Sequence, residues 1–481
     1  MSRLRVLAVN MAAVITGKAA TAFVGLLTVV ALTRHLGPTE FGYYRTVLTY
    51  SAFAAVLADS GLYMVTLRGM SQPGGNAGRV LGNALPLRVL STASVLLAAA
   101  AVAWLTPYDP RVKWGTLIGA AIYTCLQTSD FLIAAFQSVL KQARNAVAEV
   151  TGAVVTLAAV SALALTHVGA LPMLAATLLG SAVAVSISIR LVRRLVPFRL
   201  SFDLPLWRQY LIAGLPLAGS QVLGMAMLRG DSLLLSLFQP AAAVGLYGVP
   251  SKLFEITTSV PYMLAGLMMP SLTASAAADG AEFSRQLGNT LDAVAVYGVG
   301  VVIAFAPFAD RLLALISGER FAAGAPALIV ISFAVALAGL THVLRFTLVA
   351  CGRPRLVLAG DALACTCAFA AYFTLIPRFS LLGAAVGTVV AEASALIAMI
   401  VGLTLAGRRL PSLVNPAKAA IAGVLAALAM KYLAGIGTPW LLALAAGGML
   451  YLGLLALTRA IPRELVAIAF GAGRKTGVDH G

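Results

Sequence analysis

The stretch Asn10-Met-Ala-Ala-Val-Ile-Thr-Gly-Lys-Ala-Ala-Thr-Ala-Phe-Val-Gly-Leu-Leu-Thr-Val-Val-Ala-Leu-Thr33 is long enough to cross a bilayer and carries one charge, Lys18. A spanning helix needs about 20 mostly apolar residues. A cation near the midplane costs roughly 2.5–3.5 kcal/mol on insertion scales, so it is not kept in lipid contact without compensation. Arg229 and Lys252 sit inside similar apolar stretches. All three should face a watery cavity, a partner carboxylate or an anionic ligand.

The rest of the chain follows the same pattern. Of 481 residues, 60% are hydrophobic and 11% charged, and the mean hydropathy is +0.95; a soluble chain is closer to a quarter charged. Fourteen spans are expected, near 10–33, 42–67, 83–106, 114–138, 146–168, 170–190, 208–238, 243–269, 288–309, 321–346, 355–376, 380–406, 414–434 and 438–458. Strand-type alternation is not seen, so the fold class is an all-α polytopic membrane protein with internally satisfied backbones. The first span lacks the compact apolar core and cleavage site of a signal peptide and reads as a retained helix.

The net charge of +17 does not point to nucleic acid. With a cytoplasmic N-terminus, 21 of the 34 basic residues fall on inside loops and tails and 7 on outside segments. That asymmetry sets orientation by the positive-inside rule, and an even span count puts both termini in the cytoplasm. Cys125, Cys351, Cys365 and Cys367 lie in or at the ends of spans, and His35, His167, His342 and His480 are scattered. Neither a disulfide framework nor a metal site is expected, and no cofactor motif is found. Loops are short, which leaves no extramembrane domain for soluble catalysis.

The chain echoes itself. Arg79-Val-Leu-Gly-Asn-Ala-Leu85 recurs as Arg285-Gln-Leu-Gly-Asn-Thr-Leu291, and Phe41-Gly-Tyr-Tyr44 as Val244-Gly-Leu-Tyr247. More faintly, Lys141, Arg144 and Glu149 match Arg353, Arg355 and Asp361. The offset is six spans. An even unit preserves orientation, so two six-helix lobes related by a pseudo-two-fold along the membrane normal are expected. The expected organisation is an N-terminal lobe over 1–190, a basic cytoplasmic linker over 191–207, a C-terminal lobe over 208–406, and two extra helices with a polar tail over 407–481.

Among the charges within spans, Lys252 and Glu255 are three apart and can pair on one helix face, whereas Arg229 and Asp231 point apart. Lys18 has no acidic neighbour at helical spacing, although Asp59 on the next helix could reach it. Asp59, Asp130, Asp231 and Glu392 lie well inside spans, where carboxylates suit proton or sodium coupling or act as counter-ions. Asp59 and Asp231 are the ion-coupling candidates. Glu149, Asp292 and Asp361 lie near helix ends, and Arg345 is expected to reach the cytoplasmic interface. Gly383-x-x-x-Gly387 permits close helix approach. Pro216, Pro250, Pro261 and Pro270 are hinge candidates in spans seven and eight.

Thr33-Arg-His-Leu-Gly-Pro-Thr-Glu-Phe-Gly-Tyr-Tyr44 followed by Asp59-Ser-Gly-Leu62, then Arg229-Gly-Asp231, Val244-Gly-Leu-Tyr247 with Lys252, and Cys351-Gly-Arg-Pro-Arg355, together resemble the oligosaccharide flippases. These form the polysaccharide transporter branch of the multidrug/oligosaccharidyl-lipid/polysaccharide exporter superfamily. The resemblance implies a non-enzymatic membrane protein of the bacterial inner membrane. It would move an undecaprenyl-diphosphate-linked oligosaccharide from the inner to the outer leaflet by alternating access. It also implies a cationic central cavity between lobes, lined by spans one, two, seven and eight, on which Lys18, Arg45, Arg229 and Lys252 fall as substrate-binding residues. Implied partners are the lipid-linked oligosaccharide, membrane lipids and a polysaccharide polymerase or glycosyltransferases, with the protein working as a monomer. Compared with the related lipid II flippases the cations are few, which favours a surface-polysaccharide unit. The competing readings are a cation-coupled drug or metabolite antiporter of the same superfamily and a membrane glycosyltransferase or polymerase.

Overall fold

Three helices begin at a side-chain cap. Asn76 accepts the Arg79 amide (3.0 Å), Asp109 the Arg111 amide (2.8 Å) and Asp203 the Leu206 amide (3.2 Å). Each satisfies an N–H that the first turn leaves without a partner. The computed structural model describes residues 3–58, 61–71, 76–139, 141–278, 280–458 and 460, with side chains outside 3–15, 213–223 and 277–278. These residues form fourteen α-helices and no strand: α1 (Arg3–Leu57), α2 (Leu62–Met70), α3 (Ala77–Trp104), α4 (Pro110–Ser138), α5 (Ala143–Leu163), α6 (Ala170–Leu195), α7 (Leu204–Phe238), α8 (Ala241–Ala278), α9 (Gly280–Phe305), α10 (Ala309–Ser317), α11 (Ala325–Ala350), α12 (Pro354–Leu405), α13 (Val414–Gly435) and α14 (Trp440–Leu457).

Ten helical stretches among the described residues are long and apolar enough to cross a membrane. Two of them are double. α1 breaks at Gly37 (φ 69°), directly before Pro38, and α12 breaks at Ser380 (φ 52°). Glycine enters that region freely, and proline then starts a new helix without needing its missing N–H. Counting both halves, together with α7 and α8 at 35 and 38 residues, gives the fourteen expected spans. The second span ends sooner than expected: its helix stops at Leu57, and Gly61 (φ 65°) starts the separate α2. α8 runs on through Pro250, Pro261 and Pro270. After the Ser380 break the two halves of α12 close tightly, because Gly383 lies against the Leu375 carbonyl and Gly387 against the Tyr372 ring.

Packing divides the chain into two compact units, Met1–Val249 with Ala314–Phe321, and Pro250–Leu313 with Ala322–Gly481. In the first, α1 packs on α4, α5 and α7, and α6 on α4 and α5. In the second, α11 packs on α9 and α12, and α13 on α9 and α14. The packing boundary falls inside α8, because α7 packs on α1 and the start of α8 presses against α1.

The repeated heptapeptide lies beside a strap of chain in each unit. In the first, Leu81 and Leu85 are buried in the core while Gly82 and Asn83 receive the extended chain that follows α6. Ser201 N–H donates to the Gly82 carbonyl (3.0 Å), Asp203 N–H to Asn83 Oδ1 (3.2 Å) and the Trp207 indole to the Asn83 carbonyl (3.0 Å). Gly78 and Gly82 lie so close to the carbonyls of Pro197 and Arg199 that no side chain fits there. In the second unit Leu287 and Leu291 are buried, Gly288 meets Pro411, and Arg408 stacks over Phe283 (4.8 Å) while donating to the Ala276 carbonyl (2.7 Å). Each copy is a socket for the strap of chain leaving the α-helices of its unit.

The other echo makes a contact with itself. A methyl at Gly42 would strike the carbonyl of Ala241, and a methyl at Gly245 would strike the carbonyl of Pro38. Pro38 and Gly42 stand in the first copy where Ala241 and Gly245 stand in the second, so the contact is reciprocal, as at an isologous interface. Gly42→Ala and Gly245→Ala are each expected to destabilise the protein by about 1–3 kcal/mol. Gly25→Ala, with open space around it, should be neutral or slightly stabilising. Thermal unfolding in detergent checks both.

Candidate functional site

The Gly37 break sets the residues around it. Upstream, Arg34 donates to the Leu315 carbonyl (2.6 Å) and the His35 ring meets the Val168 carbonyl (3.0 Å). Downstream, the Glu40 carboxylate accepts the Ala170 amide at the start of α6 (2.8 Å) and pairs with Arg111. An acid at a helix N-terminus is favoured by both the free amides and the helix dipole. Four connections are thereby fixed around one bend, and the α1–α8 crossing lies one turn further on.

Arg45 sits at that crossing. It is half-buried, its methylenes lie alongside Gly248, and the Phe41 ring flanks the same glycine. Phe41 also stacks on Tyr44 (6.1 Å) and meets Phe321 edge-on (5.9 Å). Asp231 is buried at 6% exposure. Tyr247 Oη donates to its Oδ2 (2.6 Å) and Ser232 N–H to its Oδ1 (2.6 Å), so the carboxylate ties α8 to α7. Arg229 is half-buried on α7, close enough to act electrostatically on Asp231. Near the end of α7, Ser236 bonds Tyr108 (2.8 Å) in the connection before α4. Burial pushes the Tyr108 phenol up to about 12, so it stays protonated at any physiological pH.

Lys18 is exposed on α1, one residue after Gly17, which abuts Ala146. It makes no ion pair with any other described residue. Asp59, its expected neighbour, lies outside the described residues. Lys252 belongs to the second unit and pairs with Glu255 (3.3 Å), as the three-residue spacing allows. Lys18, Arg45 and Arg229 thus fall in the first unit, and Lys252 in the second.

The second unit carries a polar cluster. Arg345 does not simply reach an interface: it donates to Asp361 Oδ1 (2.7 Å) and to His342 Nδ1 (3.2 Å), which places the imidazole proton on Nε2. Glu392 lies within electrostatic range of both Arg345 and Asp361, and Tyr262 meets the His342 ring edge-on (5.3 Å). The Arg345–Asp361 and Tyr247–Asp231 pairs join separate helices, so no local spacing announces them. The only trace in sequence is that Tyr247 closes one of the repeated motifs.

A family model for polysaccharide biosynthesis proteins matches residues 7–274. The chain belongs to that family. Its fold is shared with solved transporters at low identity. The lipid II flippase MurJ in an inward closed conformation aligns with a TM-score of 0.78 at 10% identity, over 94% of this chain and 100% of that one. An inward-facing multidrug resistance MATE family transporter of the MOP superfamily gives 0.62 at 14%, over 80% and 94%. The Vibrio cholerae MATE transporter VcmN gives 0.53 at 14%, over 83% and 97%. No curated protein matches in sequence. This member of the polysaccharide biosynthesis family is therefore a multi-pass membrane protein with a flippase and transporter fold.

Stability and function should separate among its charges. Arg345→Ala leaves Asp361 without its cation and is expected to cost about 3 kcal/mol. Lys18→Ala, on an exposed side chain, should stay within about 0.5 kcal/mol. Thermal unfolding of the purified variants measures the difference.

Proposed function

We propose that this protein carries an undecaprenyl-diphosphate-linked oligosaccharide, a surface-polysaccharide unit, from the inner to the outer leaflet of a bacterial plasma membrane by alternating access. The observation that supports this best is Lys18, an exposed cation on a membrane-spanning helix with no ion-pair partner among the described residues. Lipid does not tolerate such a group, but water and a phosphate do. A diphosphate carries concentrated negative charge and cannot cross hydrocarbon unaided. Lys18, Arg45 and Arg229, with Lys252 released from Glu255, would replace its counter-ions while the polyprenyl tail stays in the bilayer. No covalent chemistry is required, and the protein acts as a transporter rather than an enzyme.

The lobes over 1–190 and 208–406, joined by 191–207, are proposed as the moving bodies, with both termini cytoplasmic on the charge bias and 407–481 outside the duplication. The protein would work as a monomer and hand its cargo to a polymerase or glycosyltransferase. Asp59 and Asp231 are the proposed coupling groups. A proton or sodium ion on Asp231 Oδ2 would compete with the Tyr247 hydrogen bond. Tyr247→Phe is therefore expected to change the ion dependence of transport more than the binding of the glycolipid.

A second reading, a cation-coupled antiporter, is favoured by the carboxylates Asp361 and Glu392 within the spans of the second unit. The two readings part on one experiment. Each lost charge-assisted hydrogen bond costs about 1.5–3 kcal/mol, so Lys18→Ala with Arg229→Ala should lower glycolipid flipping in proteoliposomes by about a hundredfold or more. Unchanged flipping together with altered drug tolerance in cells would favour the antiporter.

A further inference from the structure

Under the strap of the first unit lies an apolar slot of about 340 Å³. Small-molecule sites run from roughly 300 to 1,000 Å³. Leu85 and Val89 of α3 form one wall, Ile189 and Arg193 of α6 another, and Phe198 and Phe202 of the strap close it. None of these residues belongs to the site built from Lys18, Arg45, Arg229 and Lys252.

The slot offers a ligand almost nothing polar. Thr128, its one hydroxyl, already donates to the Thr124 carbonyl (2.6 Å). The strap amides at Ser201 and Asp203 are used by Gly82 and Asn83. Water needs two to four polar partners to settle in a cavity, and a sugar would lose its hydrogen bonds there at a cost of several kcal/mol. The occupant is therefore a hydrocarbon chain.

One cation, Arg193, lines the slot. The Arg193 guanidinium lies over the Phe198 ring at 5.6 Å. Arg190, Arg194 and Arg199 are exposed in the same stretch of chain. The only acid between residues 190 and 207 is Asp203, whose Oδ1 caps α7. A third observation locates this surface. Along the strap, Leu200, Phe202 and Leu204 are 53%, 66% and 68% exposed and alternate with Arg199, Ser201 and Asp203. Leu200 and Phe202 also line the slot, so this apolar side of the strap is continuous with it, and Leu204 extends it. A strap with one apolar side and arginines along it suits the headgroup region of a bilayer.

We propose that the slot holds one acyl chain of an anionic phospholipid whose phosphate is bound by Arg193 and Arg199. Basic pockets between membrane helices recognise anionic headgroups in this way. The chain fills space that the strap would otherwise bridge alone, and the phosphate fixes the arginines on either side of Phe198. The lipid thus clamps the strap on the socket made by Gly82 and Asn83, and the position of the linker responds to the anionic lipid content of the membrane. This binding is independent of the transport reading and is measured without it.

The test uses the full chain purified in neutral detergent. Thermal unfolding and native mass spectrometry are run with dioleoylphosphatidylglycerol, dioleoylphosphatidylcholine, undecaprenyl phosphate, and glycerol 3-phosphate as the headgroup alone. Phosphatidylglycerol should be retained in preference to phosphatidylcholine and should raise the midpoint by about 2–4 °C, with no effect of glycerol 3-phosphate. Arg193→Glu with Arg199→Glu should abolish the preference, read as the difference between the two phospholipids on the same variant so that loss of the Arg193–Phe198 contact cancels. Leu90→Trp, a half-exposed wall position, should block retention with the arginines intact. If that variant fails to fold, the arginine variant still decides. Equal retention of the two phospholipids, or a preference that survives the arginine changes, overturns the proposal. Retention of undecaprenyl phosphate over phosphatidylglycerol also overturns it and gives the slot to the tail of the cargo.

Discussion

The carbonyl oxygens of Pro38 and Ala241 lie where the side chains of Gly42 and Gly245 would be. Two helices approach that closely only if both present a bare backbone at the same level. In lipid there is no hydrophobic gain from bringing helices together, so contact is driven by van der Waals packing and depends on small residues. The crossing places the start of α8 on α1, and with it Tyr247, which reaches Asp231 on α7. The Gly37 bend, held by Arg34, His35 and Glu40, sets the angle at which the second half of α1 arrives. The packing of the first unit around Arg45 and Arg229 is built outward from these backbone contacts.

Charges inside the spans sort by their partners. Asp231 has both oxygens occupied, Arg345 is joined to Asp361 and His342, and Lys252 leans on Glu255. In a low-dielectric interior each such group would be costly alone. Lys18 differs from them in being exposed. Paired charges hold helices together, whereas Lys18 makes no ion pair with another described residue. The slot under the strap is a different environment from that of Lys18, Arg45 and Arg229. There the apolar walls are complete and the arginines stand at the edge.

The spans were legible in the sequence because hydropathy reports burial in lipid directly. Even the two fused helices separate where the sequence places Gly37 before Pro38 and where Ser380 follows Pro377. The heptapeptide echo was visible as well, but its purpose was not. Gly82 and Asn83 act on a strap more than a hundred residues away, and only the folded chain brings them together. Asp231 was legible as a buried acid and illegible as the partner of Tyr247, because the break between α7 and α8 separates the two. Arg345 looked like an interfacial residue because its position near a helix end says nothing about Asp361 on the next helix. The six-span duplication, by contrast, could be read from short matches, and Gly42, Gly82 and Gly245 within them mark backbone contacts that tolerate no side chain.

The two copies agree in backbone and differ in charge. Phe41-Gly-Tyr-Tyr-Arg45 aligns with Val244-Gly-Leu-Tyr-Gly248, so the glycines and the second tyrosine are shared while arginine stands opposite glycine. The difference is spatial as well as sequential. Arg45 and Gly248 meet, and a methyl at position 248 would come within 3.4 Å of the Arg45 Cγ and 2.9 Å of the Phe41 ring. The second copy gives up its side chain at the point where the first extends a long one. A strictly symmetric pair of arginines would collide and repel at the crossing, whereas arginine against glycine keeps the close approach and leaves one cation at the centre. Duplication thus supplies a near-symmetric backbone contact, and the exchange of arginine for glycine between the copies lets a long cationic side chain lie at that contact without a clash.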